Sequence, residues 1–201
     1  MDEIFEFTER EVGRAIEAAR ERRRPLFVDF WSPGCKGCER MEAVTYASAE
    51  VHRFVAERFV GLKYDTSRPG PELKTLTGSA PLLWTPTLLV LDADLREHRR
   101  AVGYVPPGEL MDELGLALAL LDLYHSRPGE ALERLRRLSA PGLSGVAAEA
   151  AYWAGVAAFR KEGRSLEAVR REWAILEHEH PASVWRTRAD VFAEKILLTV
   201  S

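Results

Sequence analysis

In the first half of the chain, apolar runs typical of strands alternate with segments that have helical spacing. Leu26–Trp31 is a short apolar run rich in strand-forming residues, which predicts a buried central strand. Phe59–Tyr64 and Leu88–Leu91 predict two more strands, and Arg99–Tyr104 predicts a strand that returns after a turn. Strands that alternate with helices and end in a hairpin indicate an α/β domain with a mixed sheet.

Three helices are predicted, one before the first of these strands and two between the first and the second. Thr8 and Glu11 have the spacing of a capping box, so a first helix is expected to begin there and to end before Pro25. A second helix is expected after Gly34, at the cysteines, and Ser48 is placed to cap a third helix.

From Glu109 onward the apolar residues recur only at helical spacing, and no later segment has the pattern of a strand. The helix that begins near Glu109 is expected to continue to about Tyr124. We therefore predict an α/β domain over residues 1–122 and an all-α domain over residues 123–201.

A weak repeat runs through the all-α part. Leu120–Arg134 and Gly155–Arg171 each contain a helix that ends in an aromatic residue, a turn and a second helix. Such a repeated pair of helices is typical of the helical hairpins of tetratricopeptide repeats. Val184–Leu198 is then expected as a closing helix. An irregular helical bundle is the other interpretation that the pattern allows.

Composition narrows the possible partners. The apolar fraction of 46% is ordinary for a globular protein, and a formal net charge of −3 provides no basic surface for nucleic acid. No apolar stretch approaches the roughly 20 residues of a membrane helix, and the N-terminus has no secretory signal pattern. We therefore expect a cytoplasmic protein with neither nucleic-acid nor membrane partners.

The two cysteines, Cys35 and Cys38, form a Cys-x-x-Cys pair. Such a pair can be half of a zinc site, a redox pair or a coincidence. Zinc sites usually have four ligands, but the five histidines are scattered, and His178 and His180 fall on different faces of a predicted helix. The sequence therefore predicts no metal site and favours the redox interpretation, which requires no cofactor.

The position of the pair strengthens this interpretation, because a strand, a short loop and a helix follow one another there. Cys35 is expected at a helix N-terminus, where free N–H groups and the helix dipole stabilise a thiolate. The neighbouring Lys36 adds a positive charge. We therefore predict that Cys35 attacks a disulfide and that Cys38, one turn further, resolves the mixed disulfide.

Asp29 is an acid within an otherwise apolar predicted strand. Burial raises the pKa of a carboxyl group, which would suit Asp29 to take the proton of Cys38. A buried acid that is only hydrogen-bonded is the structural alternative.

At these residues the chain resembles the thioredoxins. Val28–Cys38 resembles their active-site segment, with Asp29 at the place of the family's buried acid. Thr85-Pro86-Thr87 resembles their cis-proline turn, and Gly103 resembles the glycine that closes the hairpin. The similarity covers about residues 5–118, and the part from Cys35 through Asp65 resembles the branch that contains the C-terminal domain of DsbD-type reductases.

The resemblance implies a thioredoxin fold, a cis bond between Thr85 and Pro86, and a buried Asp29 close to Cys38. It also implies a set of residues that contact the substrate. These are Trp31, Gly34, Lys36, Gly37, Trp84, Thr85 and Pro86.

Three departures from the family pattern matter. Gly34 stands where thioredoxins usually have tryptophan, and Lys36-Gly37 replaces their Gly-Pro. The family lysine that faces the buried acid would fall at Gly61, and Lys63 is displaced from that position. The residue that assists proton transfer at Asp29 is therefore not identified by the resemblance.

These observations predict a thiol–disulfide oxidoreductase that acts on disulfide-containing proteins, in the reducing direction, with an upstream reductase as its electron donor. The helical part is expected to bind a protein partner, although a structural or dimerising role is equally compatible with its pattern. A redox-sensing adaptor is the alternative function. Metal handling through Cys35 and Cys38 is a third.

Overall fold

The computed structural model describes residues 4–78, 80–140 and 145–192. The chain divides into two compact units, Met1–Ala117 and Leu118–Ser201. The sequence pattern predicts a domain boundary after residue 122. The boundary between the two units falls a few residues earlier, within the helix Pro107–Tyr124.

The first unit is built on a five-stranded mixed sheet with the order β1-β3-β2-β4-β5. β2 pairs in parallel with β3, which pairs in parallel with β1, whereas β4 is antiparallel to both β2 and β5. The strands are Phe7–Thr8 (β1), Leu26–Trp31 (β2), Val60–Asp65 (β3), Thr87–Leu91 (β4) and Glu97–Val102 (β5). The four predicted strands are therefore confirmed, with small shifts at their ends, and β1 was not predicted because two residues show no period.

The central strand β2 is buried along most of its length, because helices and neighbouring strands cover it. Leu26, Phe27, Val28 and Phe30 have no exposed surface. Asp29 lies among them at 1% exposure, so the strand carries its acid into the hydrophobic core. Removing a carboxylate from water is unfavourable, and the fold must compensate for this burial elsewhere.

The helices of the first unit mostly follow the predictions. They are Val12–Arg22 (α1), Lys36–Arg40 (α2), Ala49–Arg58 (α3), Glu72–Thr77 (α4) and Pro107–Tyr124 (α5), the last of which continues into the second unit. Ser48 caps α3 as predicted, since its hydroxyl accepts a hydrogen bond from the N–H of Val51. α4 was not predicted.

The predicted capping box at Thr8 and Glu11 is wrong. Thr8 belongs to β1 and pairs with Lys63, so strand pairing takes the residue that was expected to cap the helix. Helix α1 begins at Val12, and Glu11 precedes it without a side-chain cap.

The second unit contains paired helices. They are Pro128–Leu138 (α6), Ala147–Lys161 (α7), Leu166–Glu179 (α8) and Val184–Ala189 (α9). α7 packs against α6 and α8. The predicted closing helix Val184–Leu198 ends at Ala189, and its residues 193–198 lie outside the described part of the chain.

Arginine–carboxylate pairs join the helices of this unit. Asp122 accepts hydrogen bonds from Arg127 and Arg134, and Glu172 on α8 accepts two from Arg136 on α6.

No helix of the described residues combines the length and apolar character needed to cross a bilayer.

Candidate active site

The cysteine pair lies at the junction between β2 and α2. Cys35 precedes the first residue of α2 in an extended conformation, and its Sγ accepts the N–H of Cys38 at 3.1 Å. The two residues form a disulfide. Cys35 is half-buried and Cys38 is 6% exposed, so an attacking group reaches Cys35 first.

Lys36 lies beside Cys35 in sequence, but its side chain is fully engaged elsewhere. Its Nζ donates to the Glu39 carboxylate at 2.7 and 3.0 Å, on the exposed surface of α2. Because Glu39 compensates this charge, the N–H group at the helix start is the more direct stabiliser of a thiolate at Cys35.

The loop before β4 packs directly on α2. The Thr85–Pro86 peptide bond is cis, as the resemblance implied. A methyl group on Gly37 would lie 2.8 Å from Cδ of Pro86, so only glycine allows this approach without a shift. The Thr85 hydroxyl is 2.9 Å from that of Ser32, which ties the loop to the segment before Cys35.

Trp84 lies in the same loop with 68% of its surface exposed, and Leu83 beside it is 85% exposed. The carbonyl of Trp84 accepts the Thr87 hydroxyl at 2.7 Å, which fixes the backbone at the start of β4. Gly103 closes the loop from the other side, because its N–H donates to the carbonyl of Pro86 at 2.8 Å.

Asp29 has a perturbed carboxyl group. Burial raises its pKa to about 6, while the charge of Lys63 and the hydroxyl of Tyr46 oppose that rise. Its Oδ1 atom has no hydrogen-bond partner among the described residues. A carboxyl with this pKa exchanges protons near neutral pH, which is the property that a general base requires.

Lys63 lies beside Asp29, although it is displaced from the family position at Gly61. In the parallel pair of β2 and β3, Asp29 and Lys63 are direct register partners. The family position at Gly61 instead pairs with Phe27, and a Cβ there would lie 1.9 Å from the carbonyl oxygen of Ile4. The chain therefore carries its lysine two residues later, beside the acid.

Four residues at this site were not predicted: Ser32, Glu39, Glu42 and Tyr46. Glu42 forms an ion pair with Lys63, and the Tyr46 ring lies 5.9 Å from Nζ of Lys63, which is the register partner of Asp29. Glu42 could have been found, because it lies four residues after Cys38 and so shares its helix face.

The predicted site residues fall into two groups. Those that line a cleft of about 290 Å³ are Trp31, Gly34, Cys35 and Cys38, together with Ser32, Glu39, Glu42 and Lys63. The other predicted residues lie outside this lining. Asp29 and Pro86 are buried, and Gly37 and Thr85 are partly buried, whereas Lys36 and Trp84 are exposed.

Comparison with known proteins identifies the first unit. Residues 12–117 match the model of the thioredoxin-like domain family. The thiol:disulfide interchange protein DsbD of Ralstonia nicotianae is 31% identical over 95 residues, which is 47% of this chain and 16% of that protein. The chain thus spans about a sixth of the length of this curated relative.

Two solved structures are similar to part of this chain. The oxidised C-terminal domain of Neisseria meningitidis DsbD is 25% identical with a TM-score of 0.43, covering 50% of this chain and 87% of that chain. A disulphide-isomerase described as putative, from Bacteroides thetaiotaomicron, is 27% identical with a TM-score of 0.47, covering 57% and 91%. Since the family model matches more than half of its residues, the chain belongs to the family of thioredoxin-like domains, and Cys35 and Cys38 are its Cys-x-x-Cys pair.

Proposed function

We propose that the protein reduces disulfides of other proteins and receives its electrons from an upstream reductase. One observation carries the proposal: the cysteine pair is asymmetric. The Sγ of Cys35 sits at a helix start with an N–H directed at it, while Cys38 is buried behind it. This asymmetry supports attack by Cys35 and resolution by Cys38.

In the first step the thiolate of Cys35 attacks one sulfur of the substrate disulfide. A bond forms between Sγ of Cys35 and that sulfur, and the substrate S–S bond breaks. The second substrate sulfur leaves as a thiolate and takes a proton from water. The product is a mixed disulfide between Cys35 and the substrate.

In the second step Asp29 accepts the proton of the Cys38 thiol, and the Cys38 thiolate attacks Sγ of Cys35. The Cys35–Cys38 bond forms, the mixed disulfide breaks, and the substrate sulfur that Cys35 had attacked leaves as a thiolate. With a pKa of about 6, the Asp29 carboxyl is mostly ionised at neutral pH and is available as the base. The upstream reductase then returns two electrons and two protons to the pair.

The proposed compartment is the cytoplasm, because its reducing poise favours this direction of exchange. The test is to alkylate whole cells in acid and to resolve the two redox forms on a gel. A mostly reduced Cys35–Cys38 pair is expected. A pair that is mostly oxidised in cells would argue against a cytoplasmic reductase.

The activity is tested by insulin reduction with dithiothreitol or a thioredoxin reductase as donor. Cys35→Ser should abolish the activity. Cys38→Ser should also fail to turn over but should accumulate mixed disulfides through Cys35. If wild-type protein does not accelerate insulin reduction and Cys38→Ser traps no partner, the redox-sensing adaptor becomes the better hypothesis.

We further propose that the helical unit is a tetratricopeptide-like module that holds protein partners. Paired helices of this kind present an extended surface, and Leu166 and Val184 are large apolar residues that are 54% and 57% exposed at the starts of α8 and α9. Replacing both by serine in the Cys38→Ser protein should lower the yield of trapped partners. Insulin reduction by the same double variant with Cys38 intact should stay at the wild-type rate. An unchanged yield would indicate a structural role.

A further inference from the structure

Two buried side chains, Asp29 and Tyr46, lie around Lys63: Lys63 is the register partner of Asp29, and its Nζ is 5.9 Å from the centre of the Tyr46 ring. Oδ1 of Asp29 and the hydroxyl oxygen of Tyr46 are both inaccessible to solvent, and neither has a hydrogen-bond partner among the described residues. Buried polar atoms are rarely left in this state, and a catalytic role is one of the explanations for an exception. These two atoms therefore call for a functional explanation.

The backbone that carries Tyr46 is itself unusual. Helix α2 continues as a π-helical turn over Met41–Thr45, and the N–H of Tyr46 donates to the carbonyl of Met41 at 2.8 Å. Such turns occur frequently at functional sites. The extra residue rotates the following side chain by about 100° relative to an uninterrupted α-helix.

Packing holds this turn in place. Met41 and Thr45 have no exposed surface, and the Thr45 hydroxyl donates to the carbonyl of Val105 at 2.7 Å. The Tyr46 ring meets the ring of Phe5 edge-on with a centroid distance of 4.9 Å. These contacts hold the backbone and the ring of Tyr46 in place, so its hydroxyl has a fixed position near Asp29.

We propose that Tyr46 is a positioning residue for disulfide exchange, whose hydroxyl donates a hydrogen bond to the Asp29 carboxylate whenever that group is ionised and ready to accept the proton of Cys38. The inference rests on the proposed function in one respect, namely that Asp29 is the base for Cys38. The coupling between Tyr46 and Asp29 is a separate statement that can be measured alone.

Lys63 is the charged group next to Asp29, but it does not stabilise the Asp29 carboxylate alone. Lys63 reaches it from β3 but also forms an ion pair with Glu42, so the positive charge of Lys63 is shared between two carboxylates. Burial and the neighbouring Asp29 hold the pKa of Tyr46 well above its usual value. The phenol therefore keeps its proton and remains a donor throughout the neutral range.

The reaction makes use of a donor that does not itself titrate. When Asp29 takes the proton of Cys38, its negative charge disappears and the hydrogen bond from Tyr46 weakens. When Asp29 releases the proton, the hydrogen bond is restored and the carboxylate is again stabilised. Tyr46 thus sets the pH at which Asp29 is an effective base, without taking part in the proton transfer.

The test compares Tyr46→Phe with Tyr64→Phe. Tyr64 is also fully buried, and its hydroxyl accepts the N–H of Gly70 at 2.8 Å, so the control removes one buried hydroxyl outside the Asp29 cluster. Removing a hydrogen bond to a charged group should raise the midpoint of the Asp29 titration by about one pH unit. The midpoint is measured by carbon NMR of the labelled carboxyl group in the reduced full chain.

Resolution of a preformed mixed disulfide provides the second measurement. Tyr46→Phe should slow it about fivefold at pH 6 and about twofold at pH 7, with no change above about pH 8.5, since only the ionised fraction of Asp29 falls. Tyr64→Phe should keep the wild-type pH profile. In an Asp29→Asn background, Tyr46→Phe should have no further effect.

The outcomes separate the two statements. A Tyr46→Phe midpoint equal to that of wild type, or an equal shift in Tyr64→Phe, overturns the proposal. A shifted midpoint with an unchanged pH profile of resolution keeps the coupling, but it shows that Asp29 is not the base and so removes the positioning role.

Discussion

Asp29 in the sheet unit and Asp122 in the helical unit are both buried carboxylates, with 1% and 6% exposure. Their surroundings differ completely. Asp122 accepts three hydrogen bonds from two arginines, Arg127 and Arg134, at 2.7 to 3.0 Å. Asp29 has an oxygen without any hydrogen-bond partner among the described residues and a raised pKa. Asp122, whose oxygens are hydrogen-bonded, holds helices together. Asp29, which has an oxygen without a hydrogen bond, is suited to accept and release a proton near neutral pH.

The largest effect is expected when Asp29 is replaced. Asp29→Asn keeps the shape of the side chain but removes the base, so resolution of the mixed disulfide should slow by about 100- to 1,000-fold near pH 7. The first attack by Cys35 should change much less. Stopped-flow kinetics with a fluorescent mixed disulfide measure both steps separately.

The matched control is Asp92→Asn, which removes a buried acid at the opposite end of the sheet, where Leu91 pairs with Leu26. Its resolution rate should equal that of wild type. If both variants slow resolution equally, the effect is structural, and the distinction between the two kinds of buried acid fails.

The raised pKa of Asp29 also predicts how the free energy of unfolding depends on pH. Burial raises the pKa of Asp29 from 3.8 to about 6 on folding. Below about pH 3 the carboxyl is protonated in both states and does not disfavour folding. As pH rises to about 6, the unfolded chain ionises first, so the free energy of unfolding should fall by up to about 3 kcal/mol.

Urea denaturation of oxidised protein from about pH 3 to 7 measures this slope. Asp29→Asn should equal wild type near pH 3 and exceed it at pH 7. Asp92 should behave in the opposite way. Although burial alone would raise its pKa, hydrogen bonds from His98 and from the N–H groups of Arg96 and Asp94 lower it. The Asp92 contribution is therefore lost as pH falls, and identical slopes for the two variants would contradict this contrast.

The sequence was sufficient for the parts of the site that local pattern determines. The cysteine pair, the strand before it and the acid within that strand lie within a few residues of one another, so Asp29, Cys35 and Cys38 could be predicted. Pro86 is distant in sequence, and its cis bond was predicted only through family resemblance.

The remaining residues of the site depend on register and helix phase, which the sequence does not display. Lys63 faces Asp29 because β2 and β3 pair in one particular register. Tyr46 reaches Asp29 because a π-turn changes the phase of the helix after Met41, so helical spacing counted from the cysteines misplaces it. The capping-box prediction at Thr8 failed for a related reason, since strand pairing overrode a local helix signal.

Substitution of Gly155 tests whether the packing of the helical unit affects disulfide reduction. A Cβ on Gly155 would lie 2.1 Å from Nε1 of Trp173, whose N–H donates to the carbonyl of Tyr152. Gly155→Ala should therefore displace the indole and destabilise this unit by about 2 kcal/mol. Urea denaturation followed by tryptophan fluorescence measures the loss.

Gly129→Ala on α6 is the control, because a methyl group there meets no atom within 4 Å. It should leave stability unchanged or slightly raised. Both variants should reduce insulin at the wild-type rate. A slower rate in Gly155→Ala would show that the helical unit contributes to the chemistry.

The smallest effect is expected at Asp122 itself. Asp122→Asn keeps the volume of the side chain but turns an amide group toward two guanidinium groups, so an N–H donor replaces one of the carboxylate acceptors. Since the side chains of Arg127 and Arg134 are 45% and 39% exposed, water compensates part of the loss. We expect destabilisation by about 1 kcal/mol in urea denaturation, with no change in insulin reduction. Glu133→Gln serves as the control, because the Glu133–Arg137 pair is exposed on α6 and should contribute almost nothing. Equal losses in the two variants would show that burial of Asp122 adds nothing to its ion pairs, and the structural role assigned to this acid would then be wrong.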